Sequence, residues 1–529
     1  MTEDRENLSE TVESAYSGED ETISAVCGWP PRERPVYSTM EQATAVSCLL
    51  IGYWLVRWVL PGGFGIGTAL CFGLLFLVAG LYRRSGGRQL TAGDRLRGCM
   101  LLVFTLPFVL FPEGITLWLN LLFLMAATAW VVYQSGFSGR GWRSLWPVDL
   151  TRSLIGRPFA SFGHGMGAVG NLIRRLPCRK GIGKAVGGLL LALPLTLLVG
   201  GLLVEADEVF AGWMEALLSM FWELPTELPI VVLRLGLAFP IALYLFGMLY
   251  AAAHDTNDPA EQDEVWEQEL AGIRRLSPGT LAVALTPICL LYLLFFAAQS
   301  AYHLAAFQDY LPVGFTYADY ARRGFFELCA VALINLGLLA LLYAFSRREE
   351  GRLAPVVRGY GVALCVMTLL LIAVAMRKML LYIDRYGLTP LRVYTSWFMV
   401  LLALLFLLIA LSLLVRRLRA VRAAAVVCVL MFGLLQFVPV DGLIARYNVT
   451  RYQEGTLPTV DVTLFDSLSD AAIPYMAELL ADDDPAISDA VRTRLRQRRA
   501  ELREQPAAGW NLTSFRMRRL LDELPGERQ

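Results

Sequence analysis

The chain runs to 529 residues, 56% hydrophobic and 18% charged, with a formal net charge of zero and a mean hydropathy of +0.50. Soluble domains carry about 25% charged and about 45–50% apolar residues, so a string of water-soluble domains is excluded, and the charge balance argues against a nucleic-acid partner. The apolar excess falls in long blocks separated by short charged strips, the pattern of membrane spans and not of core strands or core helices.

Residues 1–42 form an acidic, polar stretch (Glu3, Asp4, Glu6, Glu10, Glu13, Glu19, Asp20, Glu21) that turns proline-rich at Pro30, Pro31 and Pro35. Such a stretch cannot bury enough apolar area to offset chain entropy, and a disordered tail is expected. It does not resemble the short basic opening of a cleavable signal peptide. Apolar blocks follow over 44–60, 66–82, 99–111, 115–133, 185–204, 229–252, 280–298, 328–345, 360–375, 393–415 and 423–440. A spanning helix needs about 20 apolar residues, so these predict an all-α, polytopic bundle over 43–440 with about eleven spans, range about 10–12. The third block is short and holds Pro107.

Arginine and lysine set orientation. Basic strips occur at Arg83, Arg84, Arg88, Arg95 and Arg97, along 140–184, at Arg347, Arg348, Arg352 and Arg358, and at Arg416, Arg417, Arg419 and Arg422. They alternate with the uncharged strip 61–65 and with a strip over 205–227 that carries only acids. The alternation predicts a cytoplasmic N-terminus and an extracytoplasmic C-terminus. The strip 254–277, mostly acidic, falls on the inside face of this scheme; acids count little in the rule.

Within the long basic strip, Ile155, Phe159, Phe162, Met166, Val169, Ile173 and Leu176 step by four and three, one apolar stripe on a helix. Arg152, Arg157, Arg174 and Arg175 lie on the other faces. The spacing predicts an amphipathic helix over 149–176 in the headgroup layer, held by anionic lipids; a protein contact along the same stripe is the alternative. Gly163, Gly165, Gly167 and Gly170 weaken such a helix, each by about 1 kcal/mol. Gly165–Gly170 also matches GxGxxG, but that fingerprint needs a preceding strand, so no cofactor is expected. Beyond 440 the chain is soluble in character. Helices are expected at 461–480 and 485–504, the latter strongly basic (Arg492, Arg494, Arg496, Arg498, Arg499), in an extracytoplasmic helical domain over 441–529.

The cysteines form no CxxC and read as small packing residues. The three histidines, His164, His254 and His303, have no neighbour at metal-ligand spacing, and neither a metal nor a catalytic motif is expected. Asn448-Val-Thr450 and Asn511-Leu-Thr513 fit the glycosylation sequon, a pattern common by chance. Inside the spans, Arg234, Glu327 and Asn335 are polar but suggest no pair.

Two tracts on the expected outer face carry the site prediction. In Arg377–Arg392, Thr389 followed by Pro390 reads as an N-cap with proline at the first helical position, and Gly387 as a turn. Arg392 then sits in a first helical turn, where the dipole disfavours a cation, and an anion is expected beside it; Asp384 is a candidate, with Arg385 and Tyr386 adjacent. In the second tract, Asp319 and Arg323, and Arg323 and Glu327, are spaced for helical ion pairs, with Tyr320 between. Glu327 enters an apolar block and needs a partner or a cavity. Asp319, Tyr320, Arg323, Glu327, Asp384, Arg385, Tyr386 and Arg392 are therefore expected to share one polar site, a ligand site or a structural ion-pair cluster.

The stretches YADYARRGFFEL at 317–328 and YIDRYGLTPLRVYTSW at 382–397, with Asn448, Arg451, Tyr452, Asp461, the Leu468–Ala471 stretch, Pro474 and Trp510-Asn511-Leu512 behind them, resemble a bacterial membrane family known as domain of unknown function 4173. The resemblance spans about 185–510 and implies a bacterial cell-membrane location and the same polytopic plan; it supplies no reaction. Two functions remain open. One is a non-enzymatic sensing, scaffolding or envelope-support component. The other is a transporter or lipid-processing protein that holds an anionic group at the outer cluster.

Overall fold

The computed structural model describes residues 36–59, 63–86, 91–111, 114–136, 146–175, 182–222, 228–254, 276–307, 317–349, 352–415 and 420–523, with 268, 272 and 274 singly. Within these, the side chains of 135–136, 146–148, 172–175, 299–307, 317–324, 348–349 and 352, and several from 182 to 232, are not described. Most of the expected acidic tail lies outside the described residues, but its end is ordered. Ser38 and Glu41 form a capping box that opens helix α1 (Thr39–Trp54), the Glu41 carboxylate accepting from the Ser38 N–H at 2.6 Å.

After α1 come α2 (Ile66–Ser85), α3 (Ala92–Val103), α4 (Leu106–Leu110) and α5 (Ile115–Gly136). The next elements are α6 (Trp146–Thr151), a π turn (Arg152–Gly156), α7 (Arg157–Ala160), α8 (Phe162–Arg175), α9 (Ile182–Ala206), α10 (Glu208–Trp222) and α11 (Leu228–His254). The second half holds α12 (Pro278–Phe307), α13 (Tyr317–Phe345), α14 (Pro355–Tyr386), α15 (Pro390–Leu414) and α16 (Ala420–Phe437). A two-residue antiparallel hairpin, Arg348–Glu349 with Arg352–Leu353, links α13 to α14. The chain closes with α17 (Val440–Gln453), α18 (Ile473–Glu478), α19 (Pro485–Glu504) and α20 (Leu512–Glu523).

Among the described residues nine helices are long and apolar enough to cross a bilayer: α1 with its following π turn, α2, α5 and α11 to α16. Two expected spans are not in that set. The block at 99–111 is broken into α3 and α4. Proline cannot continue a helix ladder, and at the break just before Pro107 the Phe104 carbonyl accepts from Asn120 of α5 at 2.7 Å while Thr105 turns back to Leu102. The block at 185–204 lies in α9, many of whose side chains are outside the described residues.

Three apolar cores result. The first gathers α1, α2, α3, α5 and α11 around Cys48, Phe108, Leu124 and Phe246. Glycine permits close helix contact in it: a Cβ on Gly52 would stand 2.8 Å from the Ala238 carbonyl oxygen of α11. The second gathers α12 to α15 around Leu364, Met399 and Phe406. The third belongs to α17–α20 and takes in Val393, Tyr394 and Trp397 of α15, so it is continuous with the bundle. Phe104 and Phe123 beside the first core meet Phe432 of α16, with centroids 4.6–6.2 Å apart, and Gln436 of α16 donates to the Thr116 carbonyl at 2.9 Å.

Two sequence expectations change in shape. Residues 461–480 are not one helix. They form short 3-10 turns and the brief α18, because Asp461 caps the first turn and Pro474 starts another. The segment 149–176 is likewise interrupted, by the π turn and at Ser161. Its glycines have a use that the helix-propensity cost did not suggest: Cβ atoms on Gly165 would meet Leu243 and Phe246, and on Gly167 the Tyr37 ring. The small-residue face thus seats the segment on α11 and α1, leaving Ile155 and Phe159 of the apolar stripe each 55% exposed. Ile173, Arg174, Arg175 and Leu176 have side chains outside the described residues.

Candidate functional site

The turn between α14 and α15 forms as its residues dictate. Gly387 takes φ +76°, which favours glycine, Thr389 caps α15 and Pro390 opens it. Arg392, in the first turn of α15, meets no carboxylate among the described residues. Its guanidinium donates to the carbonyls of Tyr386 (2.9 Å) and Gly387 and lies 3.9 Å above the Tyr382 ring. The negative carbonyl end of α14 therefore offsets the unfavourable dipole of α15.

Asp384 faces the C-terminal domain. Arg451 of α17 donates to its carboxylate (3.1 Å), to its backbone carbonyl (2.9 Å) and to the Tyr447 hydroxyl (3.1 Å). Next to it Asn448 clasps the turn, accepting from the Leu388 N–H at 2.7 Å and donating to the Leu388 carbonyl at 2.8 Å. Arg385 and Tyr386 are exposed. Glu327 of α13 is exposed and feels the charge of Lys378 on α14. Asp319, Tyr320 and Arg323 have side chains outside the described residues. The described members thus divide between a seam to the C-terminal helices (Asp384), the α14–α15 turn itself (Arg392), exposed positions (Arg385, Tyr386) and a contact between α13 and α14 (Glu327).

More of the same seam is visible elsewhere. The Ile66 N–H donates to the Trp510 carbonyl at 2.9 Å, and the Thr513 hydroxyl to the Leu110 carbonyl at 2.6 Å. Gly65 touches Gly509 so closely that any Cβ would collide. Loops after α1, α4 and α14 therefore meet the C-terminal domain at one end of the bundle. Both sequon asparagines belong to this region and are buried: Asn448 is 5% exposed and Asn511 1%. Within the domain, Arg494 holds Asp466 at 2.5 Å and Arg499 holds Asp522 at 2.8 Å, so part of the basic face of α19 serves internal pairing.

Two groupings at the opposite end and one inside the second core were not revealed by residue spacing. Arg83 and Arg97 both approach the buried Asp94, at 3.0 and 2.6 Å. Burial alone would raise the Asp94 carboxyl, but hydrogen bonds from Thr91 and Arg97 and the Arg83 charge hold it below its ordinary range. Second, Tyr250 is stacked between His164 (4.4 Å between centroids) and His254 (4.1 Å), while Glu41 pairs with His254 at 3.2 Å and Tyr37 with His164 at 3.3 Å. Third, inside the second core, Asn335 accepts from Tyr292 at 2.7 Å and donates to Thr368 at 2.8 Å. The signals were partial: Thr91-x-x-Asp94 is a capping box and Tyr250 and His254 are one turn apart, but their partners lie far off in sequence. Among the described residues no group of His, Cys, Asp or Glu gathers as a metal site.

Comparison with known proteins places this architecture. No curated protein matches the chain, and no solved structure does. One family model matches residues 98–479; it is numbered 4153, where the sequence motifs suggested 4173, and it begins well before the expected 185. That match covers most of the chain, and the protein belongs to the family described as domain of unknown function DUF4153.

Proposed function

We propose that this protein is a non-enzymatic, multi-pass component of a bacterial cell membrane that holds its C-terminal helical domain as a fixed platform on the extracytoplasmic face, for sensing, scaffolding or support of the envelope. In this reading the nine apolar helices are joined by α9 and by the broken α3–α4 pair, giving eleven crossings with the N-terminus in the cytoplasm. The observation that carries it is the seam: Arg451 with Asp384, Asn448 with Leu388, Trp510 with Ile66 and Thr513 with Leu110 tie the domain to three separate turns of the bundle. A tethered enzyme domain would need no such clasp. Among the described residues, Arg83, Arg95 and Arg97 lie at the other end, as the charge rule expects of the cytoplasmic side, where anionic headgroups are natural partners. The alternative, an anion held at the outer cluster, is weakened because Arg392 and Arg451 already spend donors on protein groups.

A photo-crosslinking residue in place of Ala500, on the exposed side of α19, tests the platform reading in living cells. Adducts with envelope proteins or with periplasmic or cell-wall material are expected. Adducts confined to cytoplasmic proteins would contradict it.

A further inference from the structure

At the end of the bundle away from the C-terminal domain, a cavity of about 400 Å³ opens between α2, α3, α5 and α11. Its walls are mainly apolar, with Phe76, Ala79, Leu102, Val131 and Leu249 among them, and Arg83 and Asp94 stand at its polar end. That volume falls in the range of small-molecule sites, about 300–1,000 Å³. The charges at the polar end do not balance. Asp94 accepts from the Thr91 N–H (3.0 Å), the Thr91 hydroxyl (2.8 Å) and Arg97 (2.6 Å), and Arg83 lies 3.0 Å away. Among the described residues, two guanidinium groups therefore share this one carboxylate, which leaves one positive charge in the group.

Arg83 is the sharper anomaly. Its side chain is only 10% exposed, and its Nε and Nη1 are buried without a hydrogen-bond partner. Arg97 Nε and the Thr128 hydroxyl, in the same region, are also buried and unpartnered. Guanidinium has donors fixed in a fork that matches two oxygens of a phosphate or carboxylate, and buried donors of this kind are normally satisfied. Arg83 closes a membrane-length helix, which puts it at headgroup depth. Beside it α3 leaves Leu96, Met100 and Val103 exposed along its outer side. A small hydrophilic anion would use the charge but not the apolar walls. An uncharged apolar ligand would use the walls but leave Arg83 unsatisfied.

We propose that this cavity binds the phosphate of an anionic phospholipid, with Arg83 holding the headgroup, Arg97 occupying Asp94 beside it, and the apolar walls taking the first acyl carbons. The volume admits a headgroup and the start of a chain, and the rest of the tails continue in the bilayer. The site lies at the other end from the platform and does not depend on that reading.

The test is native mass spectrometry of the full chain, titrated with phosphatidylglycerol and with phosphatidylcholine of identical acyl chains. Wild type is expected to retain phosphatidylglycerol about ten-fold more tightly, the scale of a good charge-assisted contact, and Arg83→Gln to fall to near parity between the two lipids. Because Arg83→Gln leaves Asp94 with one cation fewer and could disturb folding, Gly98→Leu provides a second variant. Gly98 lines the cavity with open space beside its Cα, so leucine there fills the cavity while both arginines remain, and it should abolish the preference equally. Asp94→Asn, which frees both guanidinium groups, should preserve or strengthen it. No lipid preference in wild type, or an unchanged preference in both Arg83→Gln and Gly98→Leu, overturns the site. Displacement of phosphatidylglycerol by millimolar inorganic phosphate would show that a free oxyanion is the ligand and overturn the lipid assignment.

Discussion

Single residues at the seam show how local rules and tertiary partners divide the work. Gly387 needs its positive φ, and Asn448 fills the space that a Cβ there would take, satisfying both backbone groups of Leu388. Asn448→Ala should destabilise the seam by roughly 1–3 kcal/mol for each backbone group left buried and unpaired. Faster hydrogen exchange at Leu388 and across α17, with the α12–α13 spans unchanged, is the expected signature. Uniform protection would mean that water replaces the side chain at no cost. Asp470 offers a pH test. Burial pushes its carboxyl above the ordinary carboxylate range, only partly countered by the Ser514 hydroxyl at 2.7 Å and the Arg498 charge. A raised folded-state pKa means that stability is fully present below the unfolded value, about 3.9, and is lost as pH rises through the folded one. Asp470→Asn should therefore raise the urea midpoint of the C-terminal domain at neutral pH, and the gain should fade below about pH 4. A gain independent of pH would contradict the assignment. The cap at Thr389-Pro390 was legible in the sequence because it is local. Asn448 was not: it reads as half of a sequon, and its partner Leu388 is 60 positions away.

Elements follow their apolar periodicity until a proline or a small-residue contact intervenes. The long spans α11 to α16 were readable because twenty or so apolar residues leave a chain few alternatives in a bilayer. The block at 99–111 was not, since whether a helix holding Pro107 kinks or ends depends on what takes the carbonyls left open at the break, here Asn120 for that of Phe104. In the second core, Asn335 joins α12, α13 and α14 through Tyr292 and Thr368. Hydrogen bonds between helices in membranes average about 0.6 and reach about 1.7 kcal/mol, so Asn335→Leu should lower thermal stability modestly. A loss several times larger would point to a use beyond packing. The interrupted segment over 149–175 presents two faces, glycines to α11 and α1 and the stripe of Ile155 and Phe159 outward. The stripe is proposed to enter the headgroup layer. Reversing the charge of Arg174 and Arg175 in the isolated peptide should weaken its binding to anionic vesicles. Equal binding before and after reversal would assign the stripe to a protein partner.

The whole molecule is polarised. One end gathers the seam and the C-terminal domain; the other gathers Arg83, Asp94, Arg97, the His164–Tyr250–His254 stack and the turn where Leu276 meets Ser346. The charge alternation along the sequence predicts a division of this kind loop by loop, because lipid and translocation act on every loop separately. It could not anticipate the cavity at Arg83, whose walls come from four helices and whose arginines look, in sequence, like any basic loop. The central claim, a platform held outside and a basic, lipid-binding face inside, is tested most directly by paired cysteines in a chain whose native cysteines are replaced by alanine. Asp489→Cys on α19 and Gly86→Cys after α2 are both exposed positions. With a membrane-impermeant maleimide, Asp489→Cys is expected to label in intact cells and Gly86→Cys only after permeabilisation. The reverse pattern, or labelling of both positions in intact cells, would contradict the account.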